Sequence, residues 1–92
     1  MSLFEEVKKY LQAQTLNEEF LVKDLIQAVG EHEYCTRWKR RNDPFYRTRQ
    51  YLSYMRRCGY VENVKYGTWK VVQPIPSKLT SYTISKQLGY AY

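Results

Sequence analysis

At Gly59 the hydrophobic pattern of this chain changes period, and no other feature limits its possible folds as much. Before the glycine, Phe45, Thr48, Leu52 and Met55 recur at the three- and four-residue spacing of one helical face, with Tyr51 beside them. After it, Tyr60 to Lys65 and Thr68 to Val72 are short alternating runs rich in β-branched and aromatic residues, parted by Tyr66-Gly67. Glycine suits the junction because it enters the left-handed region that ends a helix at little steric cost. A helix running straight into a tight hairpin calls for an α+β fold.

The helix before Gly59 also has a marked start. Asp43 precedes Pro44, an N-cap residue followed by the one helical position where a missing N–H costs nothing, so a helix is predicted over 44–58. Nearer the start of the chain, Ser2 and Glu5 have capping-box spacing, and Phe4, Val7 and Leu11 form a stripe that predicts a helix over 3–13. Its other face, Glu5, Glu6, Lys8 and Lys9, reads as solvated. Phe20, Leu21, Leu25, Ile26 and Val29 supply a further stripe closed by Gly30. That helix either takes in the whole stripe or begins near Val22 after a short extended stretch.

A chain of 92 residues is one domain by length. We divide it into a folded unit, 1–73, and a tail, 74–92. Pro74 and Pro76 lack the donors a paired strand needs, so the hairpin stops there. Leu79, Tyr82, Ile84 and Leu88 in the tail are compatible with a short helix, a dimer contact or disorder.

The formal charge is +6, unevenly spread. Residues 1–35 hold three lysines against seven carboxylates, whereas residues 36–57 hold eight cations against Asp43 alone. Such a bipolar chain turns a basic side toward a polyanion and an acidic side away from it. The opening residues lack the apolar core of a signal peptide and no run approaches a membrane span, so an intracellular protein, in cytoplasm, nucleoid or host nucleus, is expected. Cys35 and Cys58 have no CxxC spacing, and with His32 they make too few ligands for a structural zinc site. Reduced thiols are expected, a disulfide being the other option.

From residue 3 to residue 73 the order helix, helix, charged turn, capped helix, hairpin resembles the winged helix-turn-helix family, most of all in DPFYRTRQYLSYMRRCGYVENVKYGTWKVV. The resemblance implies a three-helix domain with a two-stranded wing over 60–72. It also implies a recognition helix, 44–58, in the major groove of duplex DNA, with the wing on the backbone or minor groove. Helical spacing independently turns Tyr46, Arg47, Arg49, Gln50, Ser53, Tyr54 and Arg57 away from the apolar face. Arginine forks onto guanine and glutamine onto adenine, and no acidic residue lies between Pro44 and Gly59. The first turns of a recognition helix approach the bases, so Tyr46, Arg47, Arg49 and Gln50 are the expected base contacts. Phosphate contacts are expected from Arg37, Lys39, Arg40 and Arg41 before the helix, Arg56 and Arg57 at its end, and Lys65, Tyr66 and Lys70 on the wing. Trp38 and Trp69 read as packing residues. Z-form-binding members of the family pair a wing tryptophan with an Asn and a Tyr on the helix and with wing prolines. Here Arg49 and Ser53 stand at those helix positions and no proline lies between Tyr60 and Val72, which argues against that activity.

Catalysis needs positioned acids, bases, nucleophiles or metals. His32 is the lone histidine, Asp24 and Asp43 the only aspartates, and no glycine-rich phosphate loop occurs, so no enzyme, cofactor, metal or small-molecule substrate is expected. The expected function is sequence-specific duplex DNA binding by a small transcriptional regulator of viral or plasmid type, acting as a homodimer on paired half-sites. The alternatives are a winged-helix adaptor for a protein partner and an RNA or single-strand binder favoured by the many aromatic residues.

Overall fold

A computed structural model describes residues 2–30 and 45–87, the side chain of Ser85 excepted. In chain order these form α1 (Leu3–Gln12), β1 (Glu19–Leu21), α2 (Val22–Val29), α3 (Tyr46–Arg57), β2 (Val61–Lys65), β3 (Thr68–Val71) and α4 (Ser81–Gln87). The result is a small α+β domain. No described helix is long and apolar enough to cross a membrane.

α1 starts as the capping box requires, with the Ser2 hydroxyl accepting from the Glu5 N–H at 3.2 Å. Its stripe of Leu3, Phe4, Val7 and Leu11 is buried. α2 begins at Val22 after an extended stretch, the second of the two sequence-based options. Leu21 therefore leaves the apolar stripe: it lies on β1, where alternation buries Phe20 and turns Leu21 outward. The described part of α3 begins at Tyr46 with no side-chain cap from Phe45, and the Asp43-Pro44 start lies outside the described residues.

The end of α3 explains the change of period. Gly59 takes φ +87°, its N–H donates to the Arg56 carbonyl at 3.0 Å, and the Tyr60 N–H donates to Met55 at 3.0 Å. This pair of bonds satisfies the last carbonyls of the helix and reverses the chain into β2.

The expected two-stranded hairpin is part of a three-stranded antiparallel sheet in the order β1-β3-β2. β1 pairs with β3 through Glu19 and Lys70, Phe20 and Trp69, and Leu21 and Thr68. Without it the outer edge of β3 would expose a row of unpaired N–H and C=O groups. Two backbone bonds extend the junction: the Asn17 N–H donates to Val71 at 2.7 Å, and the Val22 N–H donates to Gly67 at 2.9 Å. The start of α2 is thereby tied to the hairpin turn.

The core is one cluster. Leu25 and Val29 of α2, Leu52 and Met55 of α3, Val61 and Val71 of the sheet meet the buried stripe of α1 and Phe20. Ile75, Leu79 and Ile84, assigned by sequence to the tail, belong to the same cluster. The tail as far as Gln87 is thus a packed layer ending in a short helix. Its entry is fastened by Lys8, which the sequence placed on a solvated face. Lys8 is in fact 6% exposed, and its ammonium donates to the carbonyls of Ser77 at 2.8 Å and Leu79 at 2.9 Å while pairing with Glu5 at 2.9 Å. Three acceptors match its three N–H donors, which is what makes burial of that charge tolerable. One turn further along, Gln12 Nε2 donates to the Ile75 carbonyl at 3.0 Å.

Candidate nucleic-acid interface

Burying Thr48, Leu52 and Met55 fixes the rotation of α3. The opposite face then carries Tyr46, Arg49, Gln50, Ser53, Tyr54 and Arg57, which together line one shallow groove. Tyr46 is 59% exposed, which leaves its ring open to a ligand on that face. Between Tyr46 and Arg57 there is no carboxylate, so the described residues of the groove are all positive or neutral.

Three of the four expected base contacts, Tyr46, Arg49 and Gln50, share this groove. Arg47 is turned along the helix instead. Its Nη1 donates to Gln50 Oε1 at 2.6 Å, and its guanidinium carbon sits 5.9 Å from the centre of the Tyr51 ring. The Tyr51 ring in turn meets Phe4 edge-on at 5.2 Å, so Arg47 rests on a platform continuous with α1. The charge-assisted bond fixes which side of the Gln50 carboxamide is oxygen, leaving Nε2 and the second lone pair of Oε1 for a ligand.

Arg57 joins the face that reads outward, while Arg56 lies on the hairpin side beside Gly59, Glu62 and Asn63. The expected clamp Arg37, Lys39, Arg40 and Arg41, with Trp38, lies outside the described residues. Lys65 and Tyr66 are exposed at the hairpin tip, Tyr66 completely so. Lys70 is not brought together with them. Its neighbour Trp69 borders α3, so strand alternation turns Lys70 to the other side of the sheet, where the register sets it between Glu19 and Glu62. Two carboxylates across from one ammonium make a poor phosphate site.

Between the start of α2, the flank of α3 and the hairpin lies a half-open crevice of 570 Å³. Val22, Ile26 and Leu52 give it an apolar floor, and Arg49, Asn63, Tyr66 and Trp69 give it polar and aromatic walls. Trp69 packs against the core, as expected, and also borders this crevice. Asn63 went unnoticed in the sequence, where it looked like an ordinary strand position. Its Nδ2 donates to the carbonyls of Lys65 and Thr68, both at 2.9 Å, and holds an irregularity in which Val64 is an extra residue between the Asn63–Trp69 and Lys65–Thr68 pairs. The signal for it was an asparagine, a poor strand former, set just before a turn.

Cys58, at the end of α3, is a half-buried free thiol. Burial pushes its pKa up, which makes it unreactive rather than nucleophilic at neutral pH.

Comparison with protein-family models, with curated proteins and with solved structures returned no match.

Proposed function

We propose that this chain binds duplex DNA as a winged helix-turn-helix domain, with α3 in the major groove and the β2–β3 hairpin against the neighbouring backbone. The observation that carries this reading is the outer face of α3, where Tyr46, Arg49, Gln50, Ser53 and Arg57 line one groove with no carboxylate among the described residues that form it. The order of elements and the β1-β3-β2 sheet support it, since they set a basic helix beside a projecting hairpin on a common core.

Arg49 and Gln50 have the donors and acceptors to read base edges, and Arg47 positions Gln50 for that purpose. Arg56, Arg57 and Lys65 supply phosphate contacts on either side. Glu5, Glu6, Glu18 and Asp24 lie on α1, α2 and the segment between them, so the field of the domain orients its basic side toward DNA. Helices of this kind serve regulators that read paired half-sites, and a homodimer on a two-fold duplex belongs to the proposal.

Fluorescence anisotropy with duplex DNA, single-stranded DNA and RNA over a salt series tests it. The three described phosphate contacts Arg56, Arg57 and Lys65 predict log K falling against log salt with a slope of about −2.7 or steeper, at about −0.9 for each phosphate neutralised. Duplex DNA is expected to bind best. Salt-independent binding, or none to any nucleic acid, overturns the proposal.

A further inference from the structure

We propose that the crevice between α2, α3 and the hairpin is a receptor for one unstacked nucleobase, so that this protein prefers a duplex carrying an unpaired nucleotide over a fully paired one. This rests on the nucleic-acid interface proposed above and names the feature of the ligand that the interface selects.

The shape comes first. At 570 Å³ the crevice lies within the span of about 300–1,000 Å³ typical of sites that enclose small organic molecules, and a base is a flat member of that class. A helix that lay only on phosphates would not need such a recess beside it.

The chemistry of the walls suits a base in three separate ways. The indole of Trp69 provides a π surface, and a base pulled out of its stack recovers stacking energy there. Arg49 brings guanidinium donors, and among the described residues it is the one cation shared between this crevice and the groove on the outer face of α3. Asn63 brings an acceptor. Because both Nδ2 hydrogens are committed to the carbonyls of Lys65 and Thr68, the orientation of its amide is fixed and Oδ1 is the atom left to take an N–H. A π face, a donor and an oriented acceptor at the edge of an apolar floor match the edge and plane of a nucleobase. A lipid chain or an apolar side chain would make no use of the Asn63 acceptor.

Access is open at the turn. Gly67 has φ +75°, and a Cβ placed there would meet nothing within 4 Å. Tyr66 beside it is fully exposed, free to close over a base already in place. The crevice is also held rigid where it must be: the Val22 N–H bonds to the Gly67 carbonyl, which locks α2 to the hairpin across its base.

The test uses two hairpin duplexes of the same sequence, one fully paired with 2-aminopurine opposite thymine, the other with 2-aminopurine as a single unpaired nucleotide. Binding is followed by anisotropy, and stacking by quenching of the 2-aminopurine fluorescence. We expect the unpaired duplex to bind about tenfold more tightly, the order expected for stacking one base on an aromatic ring, with quenching only in that complex. Ile26→Phe, which fills the crevice from α2 and leaves every sheet residue unaltered, is expected to abolish both the preference and the quenching while leaving affinity for the paired duplex unchanged. Trp69→Leu is expected to do the same. Equal affinity for the two duplexes with no quenching overturns this proposal and leaves the interface on α3 standing. Binding to neither duplex overturns both.

Discussion

The ammonium of Lys8 lies 2.9 Å from the carbonyl oxygen of Leu79, 71 residues further along the chain. That bond, with its companions to Ser77 and Glu5, fastens the last layer of the domain to the first helix. The layer matters for the interface because Ile84, fully buried, and Met55 of α3 belong to the same core cluster. What holds the tail also holds the back of the helix that presents Arg49 and Gln50.

Replacing Lys8 by methionine keeps the apolar stem and removes the charge, leaving the buried carbonyl of Leu79 and the part-buried carbonyl of Ser77 without their donor. The expected loss is about 1–3 kcal/mol for the orphaned acceptors. In a domain of this size Tm then falls by roughly 4–8 °C for each kcal/mol. Ile84→Ala is expected to cost about 2–5 kcal/mol by opening a cavity in the same layer. Thermal melts followed by circular dichroism measure both.

Thr48 offers a change in the opposite direction. It is 0% exposed on the inner face of α3, and its hydroxyl has no hydrogen-bond partner among the described residues. Thr48→Val keeps the shape and removes the unsatisfied group, and is expected to stabilise the domain by about 1 kcal/mol. A Tm no higher than that of the parent protein would mean that the hydroxyl is satisfied after all.

These two residues mark the limits of what the sequence discloses. The stripes of α1, α2 and α3 and the change of period at Gly59 were legible because local spacing determines them, and the outer face of α3 followed from the same arithmetic. The third strand was legible only as an option, since three residues, Glu19–Leu21, carry too little alternation to separate a strand from the first turn of a helix. Lys8 looked like any solvent-facing lysine because its partners lie some 70 residues away, and no local pattern encodes that distance. Arg47 was legible as outward but not as a brace for Gln50, which depends on the rotamer it takes against Tyr51. Lys70 was assigned to phosphate from its place near the turn, whereas strand register decided which side of the sheet it occupies.

Tyr10 gives the domain a sensitivity to base. Burial, and then the negative charge of Asp24, raise its pKa above the ordinary tyrosine value of 10.0. Folding therefore favours the neutral phenol. Its contribution is fully present below pH 10 and is lost as pH rises through 10 toward the higher value in the folded protein. Tyr10→Phe keeps the edge-on ring contact with Phe20 at 5.9 Å and is expected to move the alkaline unfolding midpoint upward. An unchanged midpoint in a pH titration followed by circular dichroism would assign alkaline unfolding to other groups.

Arg47 and Gln50 are expected to act as a unit in reading sequence. Gln50→Ala should cost about 1–3 kcal/mol of discrimination at one base pair, and Arg47→Ala should weaken discrimination at that same pair by releasing the carboxamide. The double variant should then lose less than the sum of the two, a coupling measurable by competition binding against duplexes that differ at single positions. Strict additivity would show Arg47 reading DNA on its own.

The most direct measurement is amide chemical-shift mapping of the ¹⁵N-labelled protein titrated with a short duplex at low salt. The largest shifts are expected along α3 from Tyr46 to Arg57 and at the hairpin tip around Lys65 and Tyr66, with α1 and its acidic face unmoved. Shifts centred on α1 and α4, with the outer face of α3 silent, would contradict the assignment of that face to nucleic acid.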